Sequence, residues 1–311
     1  MILEALKRRV EEAPCDVVLA SGGVDSTAVA LAHRMLGLKP LLINVQYLEK
    51  PGDDLQYVVP VARRLGFPLL VRFVSKEEAL EAVQEVVRIL RVFNPMEVVN
   101  CAAVYVALRE AKLRGAKRAC TGDGGDELCV GYGYMLKMPL EELKDYMRRL
   151  PQTWSFCAFK IGEALGLDVA SPFLQNVELL LSIPVEEKVK CGMGKCLLRA
   201  ELAEALGRRW LGGRRAQWSG AAASTPYTTS WPRWARRSRP TYQPKARRGT
   251  YTTSSGNWAT PISGPPRARA PSAASSSAAA TAPCAGGSGG SCQIPRGYGG
   301  SAAKIYCLQL K

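Results

Sequence analysis

Two short glycine-rich stretches hold the residues of this chain whose types and spacing best suit chemistry. The first is SGGVDST, residues 21–27, which follows an apolar run and precedes a helical pattern. Glycines let the backbone approach a phosphate group closely, and the free N–H groups at the start of a helix point towards it. An ordinary turn between a strand and a helix, with a serine as N-cap, is the alternative interpretation. The residues predicted here to bind phosphate groups are Ser21, Gly22, Gly23 and Ser26.

Carboxylates in both stretches indicate a metal ion. Asp25 does not suit a simple phosphate site, because its negative charge repels the ligand, but it suits a site in which Mg²⁺ bridges carboxylate and phosphate. The second stretch, TGDGGDE at residues 121–127, supplies Asp123 and Asp126. Hard oxygen ligands on a flexible turn favour Mg²⁺. A solvated acidic turn has the same composition and is the alternative interpretation.

The elements around these stretches alternate between strand and helix over the first 204 residues. The apolar strands are typical of a parallel sheet covered on both faces, and successive βαβ units indicate a doubly wound α/β fold. If the first three strands wind outward and the fourth returns beside the first, both glycine-rich stretches meet at the carboxyl ends of neighbouring strands, where such sheets bind ligands. Five parallel strands are predicted, at residues 16–20, 41–45, 69–74, 117–121 and 169–173.

The composition changes near residue 211, which predicts a domain over residues 1–210 and a low-complexity basic tail over 211–311. All 27 acidic residues lie at or before Glu204, whereas 16 of the 42 basic residues follow it. The net charge of +15 therefore comes from the tail and says little about partners of the folded part. The tail is interpreted as a disordered arm, a linker or an out-of-frame translation of a GC-rich gene. We favour the last hypothesis, which resequencing the gene would test.

The cysteines and the single histidine indicate the cellular compartment and the kind of site that the chain can form. None of the ten cysteines has zinc-site spacing, and the seven early ones, mostly in apolar runs, are predicted to be buried hydrophobic residues in a reducing compartment. The single histidine, His33, precedes Arg34 and is predicted to be solvated on its helix. The sequence has neither a signal-peptide pattern nor a run of about 18 apolar residues. These features predict a cytoplasmic protein without membrane contact.

A third element surrounds Lys195, which follows a pair of glycines and opens a helical pattern. Its ammonium group is therefore placed to reach an anion, with an ordinary surface lysine as the alternative. The stretch is not a Walker A motif, because Val189 stands where that motif requires glycine, and neither glycine-rich turn contains GxGxxG. A P-loop kinase and a Rossmann dehydrogenase are therefore not supported.

Together these motifs resemble the asparagine synthetase C-terminal domain family, a group of N-type ATP pyrophosphatases. SGGVDS resembles the pyrophosphatase loop SGGxDS, and TGDGGDELCVGY at 121–132 resembles SGEGADELFGGY. SPFLQ at 171–175 resembles VPFLD, and the IP…K…KCLLR pattern over 183–199 resembles IP…K…KYLLR. The four motifs occur in the family's order and cover nearly all of residues 16–205.

This resemblance implies an amide ligase that uses ATP and Mg²⁺. In the family, ATP adenylates a carboxylate, pyrophosphate leaves, and a nitrogen nucleophile displaces AMP. Asp25 and Asp126 match the family's Mg²⁺ ligands. Lys195 matches the catalytic lysine that stabilises charge developing on the α-phosphate and pyrophosphate. Asp123 takes the place of a glutamate linked to activation of ammonia.

The resemblance also assigns the remaining nucleotide contacts and the nitrogen source. Backbone around Val45 would face adenine, and Gly122 is placed with the nucleotide-binding residues. Glutamine-dependent members carry a cysteine directly after the initiator methionine, whereas here Ile2 follows Met1 and the synthetase motifs start at once. The chain is therefore expected to lack its own glutaminase domain and to use free ammonia or ammonia from a separate glutaminase subunit.

Three departures from the family pattern concern the acceptor more than the ATP chemistry. Asp123 is one methylene shorter than the family's glutamate, Ala170 stands where an arginine is usual, and Gln175 replaces an aspartate. A carboxylate such as aspartate is the expected acceptor. Two other functions stay open: a tRNA-modifying enzyme of the same fold, suggested by the cysteines and the basic tail, and a catalytically silent nucleotide-binding homologue.

Overall fold

The computed structural model describes residues 1–207 and the backbone of residues 305–308. The strands are β1 (Val17–Leu19), β2 (Leu41–Tyr47), β3 (Leu69–Val74), β4 (Arg118–Cys120), β5 (Asp168–Ala170) and β6 (Ile305–Leu308). The longer helices are α1 (Ile2–Glu12), α2 (Val24–Met35), α3 (Leu55–Leu65), α4 (Lys76–Leu90), α5 (Pro95–Leu113), α7 (Leu140–Arg149), α8 (Cys157–Leu165) and α11 (Cys196–Leu206). The short helices are α6 (Gly125–Leu128), α9 (Val177–Ser182) and α10 (Val185–Val189).

The sheet has the order β5-β4-β1-β2-β3-β6. The first five strands in this order are all parallel, which confirms the predicted doubly wound α/β fold. β4 lies beside β1, as predicted from the winding of the chain, with Val17 opposite Ala119. β6, in the segment predicted as a tail, pairs antiparallel with β3. Residues 208–304 and 309–311 lie outside the described residues, so the domain boundary near 210 and the character of the tail stay predictions.

Helices cover both faces of the sheet. The core on one face joins the strands to α1, α2, α3 and α11, and the core on the other face joins them to α4, α5 and α8. The strands are therefore buried on both sides, which explains why they are almost continuously apolar in sequence. Among the described residues, no single helix combines the length and apolar character of a membrane span; only α4 and α5 taken together, bent by 106°, meet that test.

Local sequence sets several helix ends. The Ser75 hydroxyl accepts the backbone N–H of Glu78 at the start of α4, and the Glu78 carboxylate accepts the N–H of Ser75, which is a capping box. Gly66 adopts the left-handed conformation with φ 69° at the end of α3. The stretch after β4, described from the sequence as a flexible turn, contains the short helix α6.

The expectation of unpaired cysteines is wrong for six of the seven cysteines in residues 1–207. Disulfides join Cys15 to Cys120, Cys101 to Cys157 and Cys191 to Cys196, whereas Cys129 is free and buried. The paired residues are up to 105 positions apart in sequence, and the fold brings them together. Spacing along the chain therefore contained no signal for these pairs.

The prediction that His33 is solvated is also wrong, since it is wholly buried. Its Nε2 accepts the backbone N–H of Cys15 at 3.2 Å, so Nδ1 carries the proton and donates it to the carbonyl of Val29 at 2.9 Å. His33 thus satisfies a backbone donor at the entry to β1. Burial lowers the pKa of its imidazole, and the bond to Val29 partly opposes that change.

Candidate active site

The two glycine-rich turns lie against each other at the carboxyl ends of the neighbouring strands β1 and β4. A Cβ atom on Gly122 would lie 2.9 Å from the Cβ of Asp25 and 3.0 Å from the backbone nitrogen of Ser26. Only glycine permits this approach without movement of the first turn. The structure thus brings Gly122 together with Asp25 and Ser26, at the crevice that the sequence predicts.

The turn of residues 21–23 is held by its own side chains and by α3. The Ser21 hydroxyl accepts the backbone N–H of Gly23 at 3.2 Å and lies 3.4 Å from the Ser26 hydroxyl, which contacts the Gly23 carbonyl at 3.3 Å. Gly22 has φ 77°, a conformation that favours glycine. The N-cap of α2 is Gly23, without a side-chain cap, so the interpretation of a serine-capped turn is wrong.

Lys195 joins the two turns electrostatically. Its ammonium group forms ion pairs with Asp25 and, at 2.8 Å, with Asp126. The residue is 3 % exposed, so the alternative of an ordinary surface lysine is wrong. The structure therefore brings Asp25, Asp126 and Lys195 into one cluster from three separate segments of the chain.

The backbone at Lys195 is tightly constrained. Lys195 is the N-cap of α11, has φ 61°, and donates its N–H to the carbonyl of Cys129 at 3.1 Å. A Cβ on Gly194 would lie 2.8 Å from the carbonyl oxygen of Gly131. This close approach of two backbone segments fixes where the Lys195 side chain starts. A left-handed backbone at a residue other than glycine is uncommon and often marks a functional position.

The cluster balances burial against charge. Burial raises the pKa of Asp25, Lys195 lowers it and Asp126 raises it, which together place it at about 6. Burial by itself lowers the pKa of Lys195, but Asp25 and Asp126 outweigh it and the pKa is raised. Lys195 therefore stays charged at neutral pH. The Oδ1 atom of Asp25 is buried without a hydrogen-bond partner, which is the arrangement expected of a carboxylate that can also bind a cation.

Asp123 lies on the second turn, next to this cluster. Its carboxylate accepts the Thr121 hydroxyl at 3.0 Å, and its carbonyl accepts the Ser171 hydroxyl at 2.6 Å. Burial raises the pKa of Asp123 to about 6; the Thr121 hydrogen bond opposes this shift and the charge of Asp25 adds to it. Ser171 belongs to the stretch that resembles VPFLD, and its hydrogen bond ties that stretch to the second turn.

Among the predicted site residues, Val45 has a side chain that lies away from the cluster of Lys195 and the carboxylates. It is buried in the core on the α4 and α5 face, and its register partner in β3 is Arg72. The prediction concerned its backbone, which lies in β2 near the carboxyl edge of the sheet. Its proximity to adenine stays a prediction.

Sequence reasoning did not single out Tyr132 as a site residue or foresee the burial of Lys188. The Tyr132 hydroxyl donates to the carboxylate of Glu127 at 2.5 Å, and burial raises the pKa of Glu127. Lys188 is buried with its ammonium group on the carbonyl of Leu180 at 2.5 Å, and burial lowers its pKa to about 8. Lys188 belongs to the IP…K pattern, and this pattern could have identified it as a site residue. Nothing in the sequence indicated its burial.

Fold and site together define an α/β protein with a glycine-rich turn before a helix and a lysine–carboxylate cluster at the switch point of its sheet. The family model for asparagine synthase matches residues 2–160, about half of the chain. The chain belongs to the asparagine synthase family.

Relatives from distant organisms carry the same description. The chain is 28 % identical over 194 residues to asparagine synthetase [glutamine-hydrolyzing] of Gallus gallus, covering 58 % of this chain and 35 % of that protein. It is 26 % identical over 206 residues to the Asparagus officinalis protein, covering 61 % and 35 %. It is 24 % identical over 197 residues to asparagine synthetase B of Escherichia coli, covering 57 % and 35 %. The chain thus spans about a third of the length of the curated relatives that it matches.

Proposed function

We propose that this chain is an ATP-dependent, AMP-forming amide ligase of the asparagine synthetase type. A carboxylate of the acceptor attacks the α-phosphate of ATP, the bond to pyrophosphate breaks, and an acyl adenylate forms. Ammonia then attacks the acyl carbon. The bond between this carbon and the phosphate oxygen of AMP breaks, and AMP leaves with its electron pair. Aspartate is the acceptor that the family membership favours.

The observation that carries this proposal is the position of Lys195. Its ammonium group lies between carboxylates of the two turns, beside a helix start with no side-chain cap. Negative charge that develops on a leaving pyrophosphate would there meet a buried cation and backbone N–H groups. Such preorganised groups stabilise the transition state because they need no reorientation during the reaction.

The residues present also suit Mg²⁺. Asp25 and Asp126 would hold the ion, since both supply hard oxygen ligands and the Oδ1 atom of Asp25 has no other partner. Bound Mg²⁺ would neutralise phosphate charge. Ser21, Gly22, Gly23 and Ser26 would orient the pyrophosphate part of ATP, and Lys195 would supply the remaining positive charge.

Asp123 is proposed to assist the ammonia step. Burial raises the pKa of its carboxyl group to about 6, so the group is mostly ionised at neutral pH and can accept a proton from the nitrogen as ammonia attacks the acyl carbon. Ammonia would come from solution or from a separate glutaminase subunit. The alternative of a tRNA-modifying enzyme gains no support from the cysteines, since Cys129 is the one free thiol in residues 1–207 and it is buried.

The decisive experiment measures exchange of labelled pyrophosphate into ATP by the full chain, with Mg²⁺ and a panel of carboxylate acceptors. Exchange that depends on aspartate, followed by AMP and asparagine formation when ammonia is added, supports the proposal. Exchange with another acceptor keeps the reaction class and replaces the substrate. ATP binding without exchange for any acceptor would instead indicate the catalytically silent homologue.

A further inference from the structure

Two buried amide side chains lie on β2 and play no part in the function proposed above. Asn44 is 3 % exposed and Gln46 is wholly buried. They are two positions apart on one strand, so both side chains point to the same face of the sheet. Polar side chains in a buried parallel strand are unfavourable unless their hydrogen bonds are made.

The two amides form a continuous chain of hydrogen bonds. Asn44 Nδ2 donates to the carbonyl of Ala20 at 2.8 Å, and Gln46 Nε2 donates to Asn44 Oδ1 at 2.6 Å. The backbone N–H of Gly52 donates to Gln46 Oε1 at 2.8 Å. One end of this amide relay is thus the residue before Ser21. The other end is the segment of residues 48–54, which leads from β2 into α3.

The start of α3 contacts the phosphate-binding turn directly. A Cβ atom on Gly22 would lie 2.7 Å from the backbone carbonyl carbon of Tyr57, in the first turn of α3. The turn of residues 21–23 therefore lies between β1 and α3, and the amide relay connects the chain on both sides of it. Loss of the relay would remove the hydrogen bond that holds Gly52, and so weaken the support of the segment that leads to the surface on which Gly22 rests.

We propose that Asn44 and Gln46 are positioning residues that hold the turn of residues 21–23 in the shape that binds the pyrophosphate part of ATP. The inference rests on the proposed function, because it assigns the turn to pyrophosphate. A turn that is already ordered binds its ligand more tightly, since no ordering is needed on binding. The residues do not touch the ligand, and they act through the backbone at Ala20 and Gly52.

The test compares the affinity of the full chain for inorganic pyrophosphate with Mg²⁺, by calorimetry, in wild type and two variants. Gln46→Met has nearly the same volume but makes neither hydrogen bond, and it is expected to weaken pyrophosphate binding about tenfold. The control is Asp16→Ala, which removes acceptors for the N–H groups of Lys117 at 2.8 Å and Arg118 at 3.0 Å at the opposite edge of the sheet. It is expected to lower stability without changing pyrophosphate affinity.

Gln46→Glu gives a pyrophosphate affinity that should depend on pH only if the hydrogen bonds of the relay position the turn. A protonated glutamate can donate to Asn44 and accept from Gly52, so it restores the relay, whereas an ionised one cannot donate. We expect the pyrophosphate affinity of Gln46→Glu, divided by that of Gln46→Met at the same pH, to rise as the pH falls from 8 to 5.5. If Gln46→Met does not fold, wild type serves as the reference. Wild-type affinity in both Gln46 variants at every pH would overturn the inference alone. No pyrophosphate or ATP binding by wild type would overturn the proposed function as well.

Discussion

The ammonium group of Lys195 forms a buried ion pair with the carboxylate of Asp25, a residue 170 positions earlier in the chain. Lys195 is the N-cap of α11, so the pair joins the start of this helix to the first glycine-rich turn. A second pair, with Asp126 at 2.8 Å, includes the other turn. The fold therefore assembles in one cluster the charges that the proposed reaction requires.

Replacement of Lys195 by methionine tests the role of this cation. The variant keeps most of the side-chain volume and removes the charge, so the exchange of pyrophosphate into ATP is expected to fall at least about 100-fold. Circular dichroism checks that the variant folds. Lys190→Met is the matched control, because Lys190 lies in the same region and pairs with Glu187 at the surface. Equal exchange rates in Lys195→Met and wild type would contradict the assigned role.

Asp126→Asn tests the metal assignment. The amide keeps one oxygen but loses the charge, so the Mg²⁺ concentration for half-maximal exchange is expected to rise at least about tenfold. A titration of exchange rate against Mg²⁺ measures the effect. The same substitution at the exposed Asp145 serves as the control. An unchanged Mg²⁺ requirement in Asp126→Asn would remove this residue from the metal site.

Asp123 makes stability depend on pH. Its folded-state pKa of about 6 lies above the usual 3.8, so the folded protein holds this proton more tightly than the unfolded chain. The favourable contribution is present below about pH 3.8 and is lost as the pH rises through about 6. We expect Asp123→Asn to raise the melting temperature relative to wild type more at pH 8 than at pH 4.5. Thermal unfolding of both proteins at the two pH values measures this difference. An equal change in melting temperature at pH 8 and pH 4.5 would count against the raised pKa of Asp123.

His33 has the opposite pH dependence. Its pKa is lowered by burial, so its contribution to stability is present above about pH 6.5 and is lost as the pH falls below that value. The chain has one histidine, which makes its imidazole signal unambiguous in a proton NMR titration. We expect a midpoint below 6.5 and a melting temperature that decreases over the same pH range. A midpoint at or above 6.5 would show that the ring is accessible to water.

The disulfide between Cys15 and Cys120 closes a loop of 105 residues. A cross-link over a loop of about 100 residues stabilises a fold by roughly 4 to 5 kcal/mol in the chain-entropy account. We expect Cys15→Ala to lower the free energy of unfolding by several kcal/mol under oxidising conditions, and to have a much smaller effect in excess dithiothreitol. Peptide mapping without reduction identifies the pair directly. Equal effects under the two conditions would mean that Cys15 contributes by packing alone.

Much of the fold could be predicted from sequence because its signals are local. Apolar runs of strand length, helical periodicity and glycine stops lie within a few residues of the elements that they specify, as at Gly66 and in the capping box at Ser75. The right-handed connection of parallel strands then restricts how they can be arranged. That restriction places both glycine-rich turns at one edge of the sheet, so Asp25 and Gly122 could be assigned to one site before any contact was known.

The sequence by itself determined the fold class, the position of β4 beside β1 and the chemical character of the two turns. Tertiary structure alone decided the ion pairs of Lys195 with Asp25 and Asp126, the burial of His33, the disulfides and the amide relay through Asn44 and Gln46. Most of these contacts join residues far apart in the chain, and even the bond between Asn44 and Gln46 depends on its distant partner at Ala20. Local patterns cannot specify them, because such contacts depend on how packed helices and strands orient individual side chains.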